Sequence, residues 1–192
     1  MNPNVNQPAP AAYRQILKAT QSAGFTMASE ILTCSLLRTL AASKPAGQFL
    51  ELGTGTGLAT AWILDGMDAH ASLVSIDKDQ NFLRIAMDVL GSDNRLTLEL
   101  ADGEKWITQN KEKRFDYIFA DTWHGKYLLL DEVLAMLNRG GLYIIDDMLP
   151  QPNWPEGHEA KRDNLVAALE ARNDLLVTKL GWASGLLVAV KR

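Results

Sequence analysis

The sequence contains one cysteine, Cys34, among 192 residues. That excludes an internal disulfide and any zinc cage built from several thiolates. Cys34 lies in the apolar run Ile31-Leu32-Thr33-Cys34-Ser35-Leu36-Leu37, where a buried small residue is the expected role and a reactive thiol the lesser alternative. A basic stripe is also lacking. Lys and Arg number 19 against 23 Asp and Glu, a net charge of −4, and the short cluster Lys111-Glu112-Lys113-Arg114 reads as a solvated helix end. Nucleic-acid binders draw most of their affinity from phosphate neutralisation, so no nucleic-acid partner is expected. No apolar run approaches the roughly 20 residues of a membrane helix, and no signal-peptide pattern opens the chain. A cytoplasmic protein without a membrane partner is the expectation.

What is present describes one globular domain. Hydrophobic residues make up 47% and charged residues 22%, ordinary proportions for a chain that buries its own core. Residues 1–12, rich in Pro, Asn and Ala, read as a mobile arm, and residues 13–192 as a single domain without repeats or a second linker. Helical spacing covers residues 13–43, and Lys44-Pro45-Ala46-Gly47 breaks it. Short apolar runs then follow at Gln48–Leu52, Ser72–Ile76, Leu96–Leu100, Tyr117–Ala120 and Leu142–Ile145. Amphipathic stretches at about 57–66, 79–90, 103–111 and 126–138 separate them. Strands spaced by helices imply parallel pairing through right-handed crossovers, with the sheet covered on both faces. After a helix at about 157–171, Leu175–Leu180 and Gly185–Lys191 are joined by only Gly181-Trp182-Ala183-Ser184. A connection that short demands an antiparallel hairpin. The expected fold is an α/β, doubly wound, mostly parallel seven-stranded sheet ending in a C-terminal antiparallel β-hairpin.

Glu51-Leu52 runs directly into Gly53-Thr54-Gly55-Thr56-Gly57. A glycine loop at the first strand-to-helix turn is where open α/β sheets bind ligands, with bare backbone amides against them. The dinucleotide pattern Gly-x-Gly-x-x-Gly would need glycine at 58, where this chain has Leu58. Glu51, two places before the first glycine, would repel a pyrophosphate but suit a cationic aminoacyl group. S-adenosylmethionine (SAM) carries both an ammonium and a sulfonium. Asp77, ending the second strand, stands where a ribose diol would lie. Asp102, after the third, would accept from an adenine amino group, cap the following helix, or do both.

Glu51 to Gly57, Asp77, Asp102 and Phe115-Asp116-Tyr117-Ile118-Phe119-Ala120-Asp121 together resemble class I SAM-dependent methyltransferases in order and spacing. Within that class the chain is similar to the small cation-dependent O-methyltransferases of the catechol and caffeoyl-CoA type. The resemblance implies a Rossmann-like methyltransferase fold, a small-molecule methyl acceptor, and a divalent cation (Mg²⁺, or Ca²⁺ or Mn²⁺) held by Asp121, Asp146 and Asp147. It also makes a homodimer an expectation that the apolar pattern does not itself establish. Asp121-Thr122-Trp123-His124-Gly125-Lys126 is similar to the relatives' segment of acid, tryptophan and catalytic lysine. Here His124 stands at the lysine's place, and Lys126 follows two residues later.

Two chemical routes follow. Three carboxylates at the ends of neighbouring strands repel one another unless a cation or proton intervenes, and all-oxygen ligation suits Mg²⁺, Ca²⁺ or Mn²⁺. Alternatively His124, titrating near neutrality, takes the acceptor's proton as a general base. Asp121 is expected to serve cofactor, cation and catalysis together. The proline-rich loop Pro150-Gln151-Pro152-Asn153-Trp154-Pro155 offers Trp154 as a wall for a planar acceptor, opposite Trp123; core or dimer packing is the alternative role of both rings. Trp106 reads as packing. The rival functions are an NAD(P)-dependent oxidoreductase and a non-catalytic SAM-binding regulatory protein.

Overall fold

In a computed structural model, residues 8–151 and 154–192 are described. Residues 1–7 of the expected arm, and Pro152 and Asn153 of the proline-rich loop, lie outside the described residues. Strands β1 (Gln48–Leu52), β2 (Ser72–Asp77), β3 (Leu96–Leu100), β4 (Phe115–Ala120), β5 (Leu137–Ile145), β6 (Leu175–Leu180) and β7 (Leu186–Lys191) form one sheet in the order β3-β2-β1-β4-β5-β7-β6. The first five pair in parallel, and β7 runs antiparallel to both β5 and β6. The doubly wound sheet with one reversed strand and a terminal hairpin is therefore what forms.

Helices α1 (Tyr13–Ser22), α2 (Ile31–Ala42), α3 (Leu58–Gly66), α4 (Gln80–Leu90), α5 (Gly103–Asn110), α6 (Leu130–Ala135) and α7 (His158–Glu170) cover both faces. Strand side chains alternate between faces, so the central strands split into two apolar layers. Phe49, Tyr117 and Phe119 pack with Leu37 of α2 and Trp62 of α3. Leu50, Leu52, Ile118 and Ala120 pack with Ile107 of α5, Val133 of α6 and Leu169 of α7. Burial on both faces explains why β1 and β4 read as continuous apolar runs.

Two boundaries differ from the sequence reading. Residues 13–43 do not form a continuous helical region: Gly24 takes φ +66° after α1, and residues 25–30 run without helix to α2. The helix expected over 126–138 shortens to Leu130–Ala135, because residues 123–128 form a tight turn and Leu137 already pairs with Phe115 in β5. At the amino end, Pro10 is buried and the Pro8 carbonyl accepts from the Arg38 guanidinium at 2.9 Å. No helix among the described residues is long and apolar enough to cross a membrane.

Candidate active site

The strand order reverses between β1 and β4, which opens a crevice at their carboxyl ends. A cleft of about 770 Å³ occupies it. At one end, Gly53 and Thr54 donate their backbone N–H groups to the Ile76 carbonyl at 2.9 and 3.1 Å, folding the loop over β2. Gly53 takes φ +102°, and a Cβ there would lie 2.8 Å from the Asp121 carbonyl oxygen. Only glycine fits, so the loop packs closely on the end of β4 while lining the cleft. Gly55 donates its N–H to one Asp77 oxygen at 2.7 Å, and Asp79 donates to the other at 2.8 Å. Asp77 thus braces the loop while lining the cleft. Gly57 is buried beneath and opens α3.

Glu51 does not face the ligand space, which corrects the expectation that it meets a cationic aminoacyl group. Its carboxyl is wholly buried and accepts from Thr60 at 2.6 Å and from the Ser75 hydroxyl, while Oε1 has no partner. Burial, opposed by those two hydrogen bonds, pushes its pKa up to about 7. Its strand position points the side chain into the layer between β1 and α3 rather than along the strand towards the cleft.

Asp102 caps α5, accepting from the Lys105 N–H at 3.1 Å, and that bond holds its carboxyl below the usual range. Ala101 and Gly103, on either side of it, line the cleft. The His124 ring lies against Gly103, and its ligating nitrogen falls within 4.8 Å of carboxylate oxygens of Asp102 and Glu104. His124 therefore sits beside α5 while lining the same cleft as Asp121 and Lys126. Trp106 is buried and donates to Glu99 at 2.6 Å, a packing role.

The residue in the acid corner is Lys126. It is 5% exposed, donates to the Asp146 backbone carbonyl at 2.8 Å, and lies 3.8 Å from Asp121 Oδ1. The cause is local. Gly125 takes φ +86° and packs against Leu52, while the Tyr143 hydroxyl donates to its carbonyl. Tyr127 and Leu128 donate N–H to the Trp123 carbonyl at 2.9 and 3.1 Å. This tight turn sends His124 outward to α5 and swings Lys126 back over the strand ends.

Asp121 also accepts from Ser29 at 3.2 Å. Burial pushes its carboxyl well above the usual range, Lys126 counters that, and Asp146 and Asp147 add to it. Asp146 is buried and its Oδ1 accepts from the Ser184 hydroxyl and from the Asp147 N–H, the latter at 2.8 Å. Burial raises its pKa too, with Ser184 opposing. Asp147 lines the cleft with φ +59°.

These three acids do not fit the expected cation. Among the described residues, the trio whose ligand atoms gather within 4.8 Å is Asp102, Glu104 and His124, not Asp121, Asp146 and Asp147. One Asp146 side-chain oxygen is already committed to protein donors, and the Lys126 ammonium, held on the Asp146 backbone carbonyl, supplies a positive charge beside Asp121.

Aromatic rings line the outer wall. His158 is buried, with ring centroids of Trp154, Tyr127 and Trp123 at 4.5, 5.1 and 5.7 Å. Tyr127 Oη and His158 Nε2 are 3.1 Å apart, and His158 Nδ1 has no partner. Burial, then the Lys161 charge, lowers the His158 pKa. Trp123 and Trp154 both line the cleft. Residues 25–30 close the cleft from the other side, with the Phe25 ring 4.6 Å from Phe82 of α4. Sequence reasoning missed this wall. Gly24 was its signal, a breaker inside a stretch otherwise read as helical. Cys34 is buried, its thiol pKa pushed up by burial, so the unreactive role holds.

A family model described as a methyltransferase domain matches residues 50–148. Two curated proteins named as O-methyltransferases align over 91 residues. One, from Mycobacterium leprae, is 30% identical over 45% of this chain and 39% of its own length; one from Mycobacterium avium is 29% identical over 45% and 40%. The chain thus spans about two fifths of the length of the curated relatives it matches. Among solved structures, the O-methyltransferase of Bacillus cereus in complex with S-adenosylhomocysteine (SAH) superposes with a TM-score of 0.85 at 17% identity, over 98% of this chain and 94% of that one. The O-methyltransferase TomG of Streptomyces achromogenes, in complex with SAM, gives 0.82 at 17% identity over 97% and 92%. SAH-bound PaMTH1 of Podospora anserina gives 0.81 at 19% identity over 97% and 90%. At these identities the superpositions establish a shared fold.

Proposed function

This chain belongs to the methyltransferase domain family, and from that premise we propose that residues 13–192 act as one SAM-dependent domain that methylates a hydroxyl of a small molecule. The observation that carries this reading is the single cleft whose lining runs from the Gly53–Gly55 loop to Lys126, Asp121 and Asp146. One end suits a nucleoside and the other a hydroxyl whose proton must leave. The fit to SAM rests on the glycine loop that lines the cleft, with the Asp77 carboxylate beside it. Glu51 takes no direct part in binding. The Mycobacterium relatives and the solved neighbours, named as O-methyltransferases or carrying SAM or SAH, support the same direction.

When bound, SAM supplies an electrophilic methyl on a sulfonium sulfur. The acceptor oxygen forms a bond to that carbon as the carbon–sulfur bond breaks, sulfur keeps the electron pair, and the acceptor proton passes to a base. Asp121, with its raised carboxyl pKa, is placed to receive that proton when ionised. Lys126, donating to the Asp146 carbonyl, positions the acceptor oxygen. Trp123 and Trp154 would hold a planar acceptor against the His158 ring. No step is assigned to a divalent ion, and His124 would serve the nucleoside end.

Calorimetry with SAM, SAH and NAD(P)H tests the cofactor: SAM and SAH should bind, whereas binding of NAD(P)H alone would sink the reading. Transfer of labelled methyl from SAM in a screen of catechols, flavonoids and CoA esters tests the activity. Tight SAH binding with no product across that screen would favour a regulatory protein.

A further inference from the structure

We propose that the Lys126 ammonium is the resident cation of the acceptor end, and that the folded protein takes up no divalent ion among Asp121, Asp146 and Asp147. The inference rests on the methyltransferase reading above for what the site does, though not for what occupies it. Lys126 is 5% exposed, and one hydrogen goes to the Asp146 carbonyl at 2.8 Å. The ammonium also lies 3.8 Å from Asp121 Oδ1, a charge contact longer than a hydrogen bond. Asp121 and Asp146 are at the ends of adjacent strands, paired through Ala120 and Ile145, so the ammonium bridges the two strand ends, from the Asp146 backbone carbonyl to the Asp121 carboxyl. The acids are turned to match. Asp121 Oδ2 accepts from Ser29 at 3.2 Å, and Asp146 Oδ1 from Ser184 and the Asp147 amide. Those donors fix how the two carboxyls are turned, one oxygen of each being held by protein groups.

An ammonium and a divalent ion differ in what they can hold. The ion offers several open positions and can be removed; the lysine offers N–H donors and cannot. The chain reaches this substitution through the Gly125 turn, which brings a lysine two places late back to the strand ends.

The test is Mn²⁺ titration, read by electron paramagnetic resonance, of full-length protein carrying Glu104→Gln, which removes one ligand of the separate trio at α5. We expect no stoichiometric Mn²⁺ uptake, with or without SAH. Adding Lys126→Met should create one bound ion per chain, and adding Asp121→Asn to that variant should abolish it. One Mn²⁺ bound by the Lys126-containing protein and lost on Asp121→Asn would overturn the proposal. So would a Lys126→Met variant that still binds SAH but takes up no ion. If Lys126→Met does not fold, the titration of the Lys126-containing protein decides alone. Failure of SAH to bind, with no Mn²⁺ uptake, would refute the cofactor reading and leave the lysine in the ion's place.

Discussion

At the Gly53 end of the cleft, the polar contacts are made by backbone: amides of Gly53, Thr54, Gly55 and Asp79 set the loop, and Asp77 is the side chain that receives two of them. At the Lys126 end, side chains that carry charge are packed out of water, and burial raises the carboxyl pKa values of Asp121 and Asp146. The first end is preorganised by conformation, with the buried Glu51 carboxyl beneath it as a titrating group. The second depends on which protons and cations are present. A ligand recognised by the first needs a shape; chemistry at the second needs a charge state.

The largest expected effect comes from removing the ammonium. Lys126→Met leaves two buried carboxylates without their counter-charge, a change that typically costs about 3–5 kcal/mol of stability. Denaturant unfolding at pH 8 should show that loss, SAH affinity per folded molecule should hardly change, and added Mn²⁺ should restore part of the stability. An equal loss of SAH affinity would break the division between the ends.

Gly53→Ala attacks the other end. The positive φ and the approach to the Asp121 carbonyl cost on the order of 3 kcal/mol, so SAH binding should weaken by about 100-fold in calorimetry. Unchanged affinity would show that the loop is not the cofactor's seat.

Glu51 lies beneath the loop and gives a pH signature. Its folded pKa of about 7 lies above the ordinary glutamate value of 4.5, so the folded state holds a proton that the unfolded state releases. Its penalty is absent below about pH 4.5, grows as pH rises towards 7, and is complete above, at up to roughly 3 kcal/mol. Glu51→Gln should flatten that decline relative to the parent protein in unfolding measured from pH 5 to 8. An unchanged slope would mean that the carboxyl is not protonated in the fold.

The smallest effect is expected at the rim. Trp123 is 43% exposed, and Trp123→Ala should weaken acceptor binding by about tenfold, roughly 1.4 kcal/mol, with SAH affinity unchanged. KM for the acceptor and SAH calorimetry, measured side by side, check it.

How much was legible follows the same division. The loop, Asp77 and Asp102 are each within a few residues of a strand end, so strand periodicity alone put them at one edge of the sheet. Glu51 was misread because its distance from the loop says nothing of which face of β1 it takes. That Lys126 reaches Asp121 was hidden for a similar reason. Sequence spacing measures distance along the chain, whereas the turn at Gly125 decides direction. The wall at residues 25–30 was hidden because a stretch of helical spacing around Gly24 carries no sign that its break faces the cleft.

The sequence by itself determined the sheet, its hairpin and the place of a nucleoside loop, because apolar periodicity and glycine chemistry are local and act over a few residues. Only the tertiary structure decided that Glu51 is a buried brace and that Lys126 meets Asp121 and Asp146. Those outcomes depend on what packs beside each side chain, and burial sets both the partner a charge can reach and the cost of leaving it without one.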